Sequence, residues 1–131
     1  MPTLSKPSEA HLLTCHPDLQ RLIREAIKHV DFTVMVGYRN QEDQEEAFRL
    51  GNTTKHWPDS RHNTNPSTAV DIAPYPVDWS DTARFARLYG YIERIAEEMN
   101  IGIRWGGDWN NNYRTKDETL VDMPHIELVN P

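Results

Sequence analysis

Two short clusters, far apart in the chain, carry side chains that bind metals and move protons. The first is Ser60-Arg61-His62, followed by Ala69-Val70-Asp71; the second is Asp122-Met123-Pro124-His125. Together they offer two imidazoles, one carboxylate able to act as a ligand, and one spare carboxylate. A catalytic zinc uses three protein ligands of these kinds, keeps a fourth position open for water, and has an acid/base nearby. The chemistry such a set supports is hydrolysis.

The spacing sets conditions on the fold. His62 and Asp71 are nine positions apart, so they do not share a helix face. They converge if His62 sits in a loop and Asp71 on the strand that the loop leads into. His125 joins them only if its own strand pairs with that of Asp71. By spacing alone, an ordinary loop histidine and a half-buried strand histidine account for His62 and His125 as well. His56, six residues before His62, is the rival ligand. Asp122 lies three residues before His125, so one turn delivers both; a carboxylate there can exchange a proton with a water and with a leaving amine, or simply form the turn ahead of Met-Pro. Arg39 follows a strand directly. An arginine at a strand end can stabilise an oxyanion or hold a carboxylate, or lie solvated. Ser60 can bond a ligand or substrate, or shape its turn. Trp105-Gly-Gly-Asp108-Trp109 reads as a cleft wall, because glycines between aromatics let other groups come close.

The elements that must position these residues are legible in outline. Residues 1–13 read as an irregular arm. Pro17 to Val30 carries Leu19, Leu22, Ile23, Ala26, Ile27 and Val30 at helical spacing, with Thr14 or His16 as cap and Pro17 in the first position. Phe32 to Gly37 is rich in β-branched residues and reads as a strand. Gln41 to Leu50 is a more polar helix, and residues 51–67 form a long loop of a kind that is functional or mobile. Thr68 to Ala73 is a short strand bearing Asp71. Asp78 or Ser80 caps the longest helix, which runs to Asn100 on a face of Ala83, Ala86, Tyr89, Ile92, Ala96 and Met99. Ile101 to Trp105 and Pro124 to Val129 are further strands, separated by a polar loop from Gly106 to Glu118. The Asp and Asn residues of that loop lack the Asp-x-Asp-x-Asp-Gly spacing of a calcium loop. Helices and strands mix without a βαβ rhythm. The expectation is a single α+β domain, 1–131, with a small antiparallel sheet flanked by about three helices.

Composition narrows the class. The chain has 131 residues, with 14 Lys and Arg against 20 Asp and Glu, a net charge of −6. That balance, without a basic block, argues against nucleic acid and against stable membrane association. The single cysteine, Cys15, allows no internal disulfide. No apolar run approaches the roughly 18–20 residues of a membrane span, and the polar start lacks the apolar middle of a secretory signal.

The motifs in order resemble those of the zinc peptidases of the D-Ala-D-Ala carboxypeptidase and L-alanyl-D-glutamate peptidase group, the M15 family, and most of all the small phage endolysins. Ser60-x-His62 and Ala69-x-Asp71 match the two ends of the family's first motif. Asp122-x-x-His125 matches the phage form of the second. Phe32-Thr-Val to Gly37-Tyr-Arg39, Gln44, Asp71-Ile-Ala-Pro74, Arg104-Trp-Gly-Gly-Asp108-Trp and His125-Ile-Glu-Leu128 also fit. The interval from His62 to Asp71 is two residues longer than the family's, Ser67 stands where the family has glycine, and Pro124 replaces the glycine before the second histidine.

The resemblance implies a fold of the zinc DD-peptidase/hedgehog type. It implies one Zn2+ held by His62, Asp71 and His125, catalysis by Asp122 and Arg39, and substrate contacts from Ser60, Gln44, Asp108 and Trp109. It implies a monomer that cuts the peptidoglycan stem peptide between L-Ala and D-Glu, made in the host cytoplasm and released to the periplasm by a holin. Two other readings stay open: a D,D- or L,D-carboxypeptidase of wall remodelling, and a non-catalytic zinc-stabilised wall-binding module. An acidic enzyme that seeks an anionic wall is expected to carry a local cationic surface near its cleft.

Overall fold

The computed structural model describes residues 2–111, 113 and 122–131. Its elements are α1 (Lys6–Leu12), α2 (Pro17–Ala26), β1 (Phe32–Val36), α3 (Gln41–Arg49), β2 (Ala69–Pro74), α4 (Thr82–Met99), β3 (Ile103–Trp105) and β4 (His125–Leu128), with a 3-10 turn over Arg61–Asn63 just before β2. The strands form one antiparallel sheet in the order β1-β2-β4-β3. This is the expected α+β class with a small antiparallel sheet. Most of the second half of the loop expected from Gly106 to Glu118 lies outside the described residues.

Side chains alternate across a strand, and here the alternation separates core from chemistry. Val70 and Ile72 of β2 and Ile126 and Leu128 of β4 join the apolar core, whereas Asp71, His125 and Glu127 point to the other face. On the apolar side α4 lies against β2 and β3, and α2 packs on α4. α2 contributes Leu19, Leu22, Ile23 and Ala26. His16 caps it as expected, its Nδ1 accepting from the Asp18 N–H at 3.0 Å.

Three expectations need correction. Residues 1–13 are not an irregular arm: Lys6–Leu12 is helical, capped by the Ser5 side chain, so the described residues hold four α-helices rather than about three. α1 is too short for apolar periodicity to reveal it. It is tied down by a hydrogen bond instead: the buried Ser8 Oγ accepts from the Val34 N–H at 2.9 Å and lies 3.1 Å from Thr33 Oγ1. β1 is an edge strand, and α1 covers an N–H group that would otherwise be open to pairing. Second, α4 buries Phe85, Leu88, Tyr89, Ile92, Ile95 and Ala96, whereas Ala83 and Ala86 face solvent. Phe85 and Leu88 remove more apolar area than two alanines, and the helix turns to suit them. Third, α4 has no side-chain cap; Ser80 bonds to Asp78 instead.

Candidate active site

The site grows from the register of two central strands. Asp71 of β2 and His125 of β4 are Cα partners, so both side chains rise from one point on the polar face. His125 Nδ1 lies 3.4 Å from Asp71 Oδ1. The third member comes from the 3-10 turn. His62 Nε2 lies 3.1 Å from the same oxygen. Ser60 and Asn63 hold that turn by a reciprocal cap: Ser60 Oγ accepts from the His62 N–H, and Asn63 Oδ1 accepts from the Ser60 N–H.

The two extra residues between His62 and Asp71 do not part them. Residues 64–66 bulge outward into solvent. Ser67 is fully buried and is clamped to the junction of α1 and α2, donating to Thr14 O at 2.9 Å and accepting from the His16 N–H at 2.8 Å. His56 lies elsewhere, with Nδ1 2.7 Å from Glu45 Oε2 and its ring against Phe48.

Each imidazole is oriented by its outer nitrogen. His62 Nδ1 is 2.8 Å from Gly37 O, which can only accept. The proton on Nδ1 is therefore committed to Gly37, and Nε2 is the nitrogen that faces inward and is available to a metal. His125 Nε2 is 2.9 Å from Glu127 Oε1, so here Nδ1 faces inward. Two imidazole nitrogens and a carboxylate oxygen, all within 4.8 Å of one another, make a donor set that fits a metal ion such as zinc. Outer hydrogen bonds to a carbonyl and a carboxylate are what such ligands require.

The electrostatics are strongly coupled. Burial opposes the charge on Asp71, but His62 and His125 outweigh it and hold the carboxyl well below its usual range. Burial likewise opposes protonation of His125, yet its bonds to Asp71 and Glu127 raise it to about 9. Asp122 stands at the edge of the group, with Oδ2 3.9 Å from His125 Nδ1. Burial and the charge of Asp71 push its carboxyl up, against the pull of His125, His62 and Arg39. Gly106 makes room for it: a Cβ there would lie 2.1 Å from the Asp122 carbonyl oxygen. The core reaches the same turn through Trp105, which stacks on Tyr89 of α4 and donates to Met123 O at 2.7 Å.

Arg39 lies on the β1 side, 3.9 Å from Asp71 Oδ2. Its Nη1 donates to Gln44 Oε1 at 3.1 Å, an atom that also accepts from Asn63 Nδ2 at 3.0 Å. Gln44 Nε2 donates to Lys55 O. Gln44 is therefore not a surface for substrate: it is 0% exposed and holds Arg39 and the His62 turn together. Ser60 is also buried and serves the turn. Asp108 is buried, its carboxylate accepting from the Tyr113 N–H at 2.7 Å. Of the four expected substrate contacts, Trp109 is the most open, half-buried with its ring 5.4 Å from that of His125. Glu127 and Asn63 were not singled out as site residues in the sequence. Glu127 had a signal: it sits two residues beyond His125 in an alternating strand, a carboxylate on the same face as a candidate ligand. Asn63 had none beyond its place after His62.

Residues 2–129 match the sequence family described as phage L-alanyl-D-glutamate peptidase. The chain is 34% identical over 135 residues to the L-alanyl-D-glutamate peptidase of Escherichia phage T5, covering 95% of this chain and 96% of that protein. It is 26% identical over 117 residues to the peptidoglycan L-alanyl-D-glutamate endopeptidase CwlK of Bacillus subtilis (strain 168), covering 79% and 64%. The crystal structure of the Serratia marcescens L-Ala D-Glu endopeptidase ChiX superposes with a TM-score of 0.75 at 32% identity, over 97% of this chain and 90% of that one.

Proposed function

The chain belongs to the phage L-alanyl-D-glutamate peptidase family, and we propose that it is a zinc-dependent endopeptidase that cuts the L-Ala–D-Glu bond of the peptidoglycan stem peptide. The observation that carries this reading is the meeting of His62, Asp71 and His125 on one face of the sheet, with Asp122 beside them. His62 through Nε2, Asp71 through its carboxylate and His125 through Nδ1 would hold one zinc ion. What zinc supplies in a site of this kind is Lewis acidity and water acidic enough to be a nucleophile near neutral pH.

The remaining work falls to the side chains. Asp122 takes a proton from the attacking water and returns it to the nitrogen of the leaving amine. A carboxylate within reach of that water and of the leaving nitrogen can do both halves of that task. Arg39 presents its guanidinium to the scissile carbonyl oxygen as negative charge gathers there. Gln44 and Asn63 fix Arg39 before substrate arrives, so little reorganisation is left for the reaction. Trp109 forms an apolar wall beside His125.

In its biological setting this is an endolysin that reaches the wall through a holin-type lesion. Among the described residues no helix is long and apolar enough to cross a membrane. Digestion of purified Gram-negative peptidoglycan, read by mass spectrometry, tests the bond. New amino-terminal D-Glu ends are expected. Release of free D-Ala alone would replace this reading with a carboxypeptidase.

A further inference from the structure

On the far side of His125 from Asp71 lies a second charged group. Glu127 is buried, and its Oε1 takes the hydrogen bond of His125. Its Oε2 faces two guanidinium groups, Arg61 Nε at 3.7 Å and Arg104 Nη1 at 3.8 Å. The arginines come from different elements, the 3-10 turn and β3, and each side chain is 42% exposed. Neither separation is a hydrogen bond. Among the described residues neither guanidinium donates to any other group. Each carries five N–H donors in a planar fork suited to a carboxylate. Two positive charges thus face one negative charge already committed to His125. The surplus is a local cationic surface in a chain of net charge −6.

Its place relative to the metal ligands is set by register. Arg104 and Ala69 are the Cα partners of Glu127, one row along the sheet from the Asp71–His125 pair. That row is two residues away, about 7 Å along the strands. A peptide cut at Asp71 and His125 and lying along the strands brings a neighbouring side group to the arginines. A glutamate on the amine side of the scissile bond keeps one carboxyl group outside the chain, whichever of the two carries the next residue, and unmodified it is an anion.

Resting on the peptidase reading, we propose that Arg61 and Arg104 form an anion subsite for the free carboxylate of that glutamate. The pair fixes the residue after the bond and selects substrates in which this carboxylate is unmodified.

Calorimetric titration of zinc-loaded Asp122→Asn protein tests this by binding alone. The probes are N-acetyl-L-Ala-D-Glu and its two monoamides, α and γ. One amide should bind about tenfold more weakly than the dianion, as expected for loss of a charge-assisted contact, and it identifies the carboxylate. Adding Arg61→Gln and Arg104→Gln should remove that difference, and lysine at both positions should restore part of it. An unchanged penalty without the arginines would overturn the proposal. So would equal binding of all three probes, or no binding by folded, zinc-loaded protein. Zinc affinity, measured on the same samples, identifies the structural alternative: if it falls while the carboxylate preference stays, the arginines serve Glu127 only and the subsite is refuted. Turnover of the same probes by the unmodified enzyme is a separate matter; binding without cutting would sink the peptidase reading and leave the subsite standing.

Discussion

Glu127 Oε1 accepts a hydrogen bond from Nε2 of His125 at 2.9 Å, and this decides which nitrogen of His125 faces Asp71. Burial would raise the Glu127 carboxyl, but His125, Arg61 and Arg104 hold it down, so it stays charged. In the zinc reading Glu127 is a positioning residue. Glu127→Gln should fold and weaken zinc binding about 10–100-fold, the usual effect of losing an outer carboxylate. Competition against a chromophoric chelator measures it; unchanged affinity would show that the ring is held by packing alone.

Gly106 lies where the backbone of the Asp122 turn crosses β3. A methyl group there would meet the Asp122 carbonyl at 2.1 Å and its Cβ at 2.9 Å. Gly106→Ala should therefore push Asp122 away from the site. A displacement near 1 Å costs about a hundredfold in rate, so kcat should fall by that order with zinc still bound. Retained kcat would mean that the turn tolerates the shift.

Gln44 joins α3, Arg39 and the His62 turn through one buried amide. Gln44→Ala leaves the Arg39 and Asn63 donors without this acceptor, and each buried group left unsatisfied costs about 1–3 kcal/mol. Thermal unfolding should report that loss. Steady-state kinetics should show a lower kcat with a smaller change in KM, because Arg39 is assigned to the transition state. A change confined to KM would place Gln44 in substrate binding after all.

In the metal-stripped protein the site's charges make stability depend on pH in both directions. The lowered pKa values of Asp71 and Glu127 contribute stability above the ordinary carboxylate range, lost as pH falls through and below it. The raised value of His125 contributes stability that is complete below its ordinary 6.5 and is lost as pH rises through about 9. Asp122, raised and more exposed, runs against the acid limb and blunts it. Chemical denaturation of the stripped protein should therefore show a maximum between about pH 5 and 6.5. A flat profile from 5 to 9 would contradict the His125–Asp71–Glu127 coupling.

Much of this site was legible in the sequence because its parts sit in regular elements. The strand around Asp71 and the alternation around His125 made their pairing the condition for a shared site, which β2 and β4 meet, and Pro17 with His16 marked the start of α2. What was hidden depended on contacts between distant segments. α1 is held by Ser8 bonding to β1, which no periodicity reports. Gln44 looks like a polar surface residue of α3 and is in fact enclosed by Arg39, Asn63 and Lys55. The convergence of Arg61 and Arg104 on Glu127 needs the full sheet order, since 43 positions separate the two arginines in the chain.

The most direct test of the central claim compares unmodified and Asp122→Asn protein on purified peptidoglycan after chelator treatment and again after zinc is returned. In the unmodified protein D-Glu amino-terminal ends should vanish with chelator and return with about one zinc per chain. Asp122→Asn should bind the same zinc yet form those ends about 100–10,000-fold more slowly, the usual range for a lost general acid/base. Full cleavage by chelated protein, or by zinc-loaded Asp122→Asn, would contradict that claim.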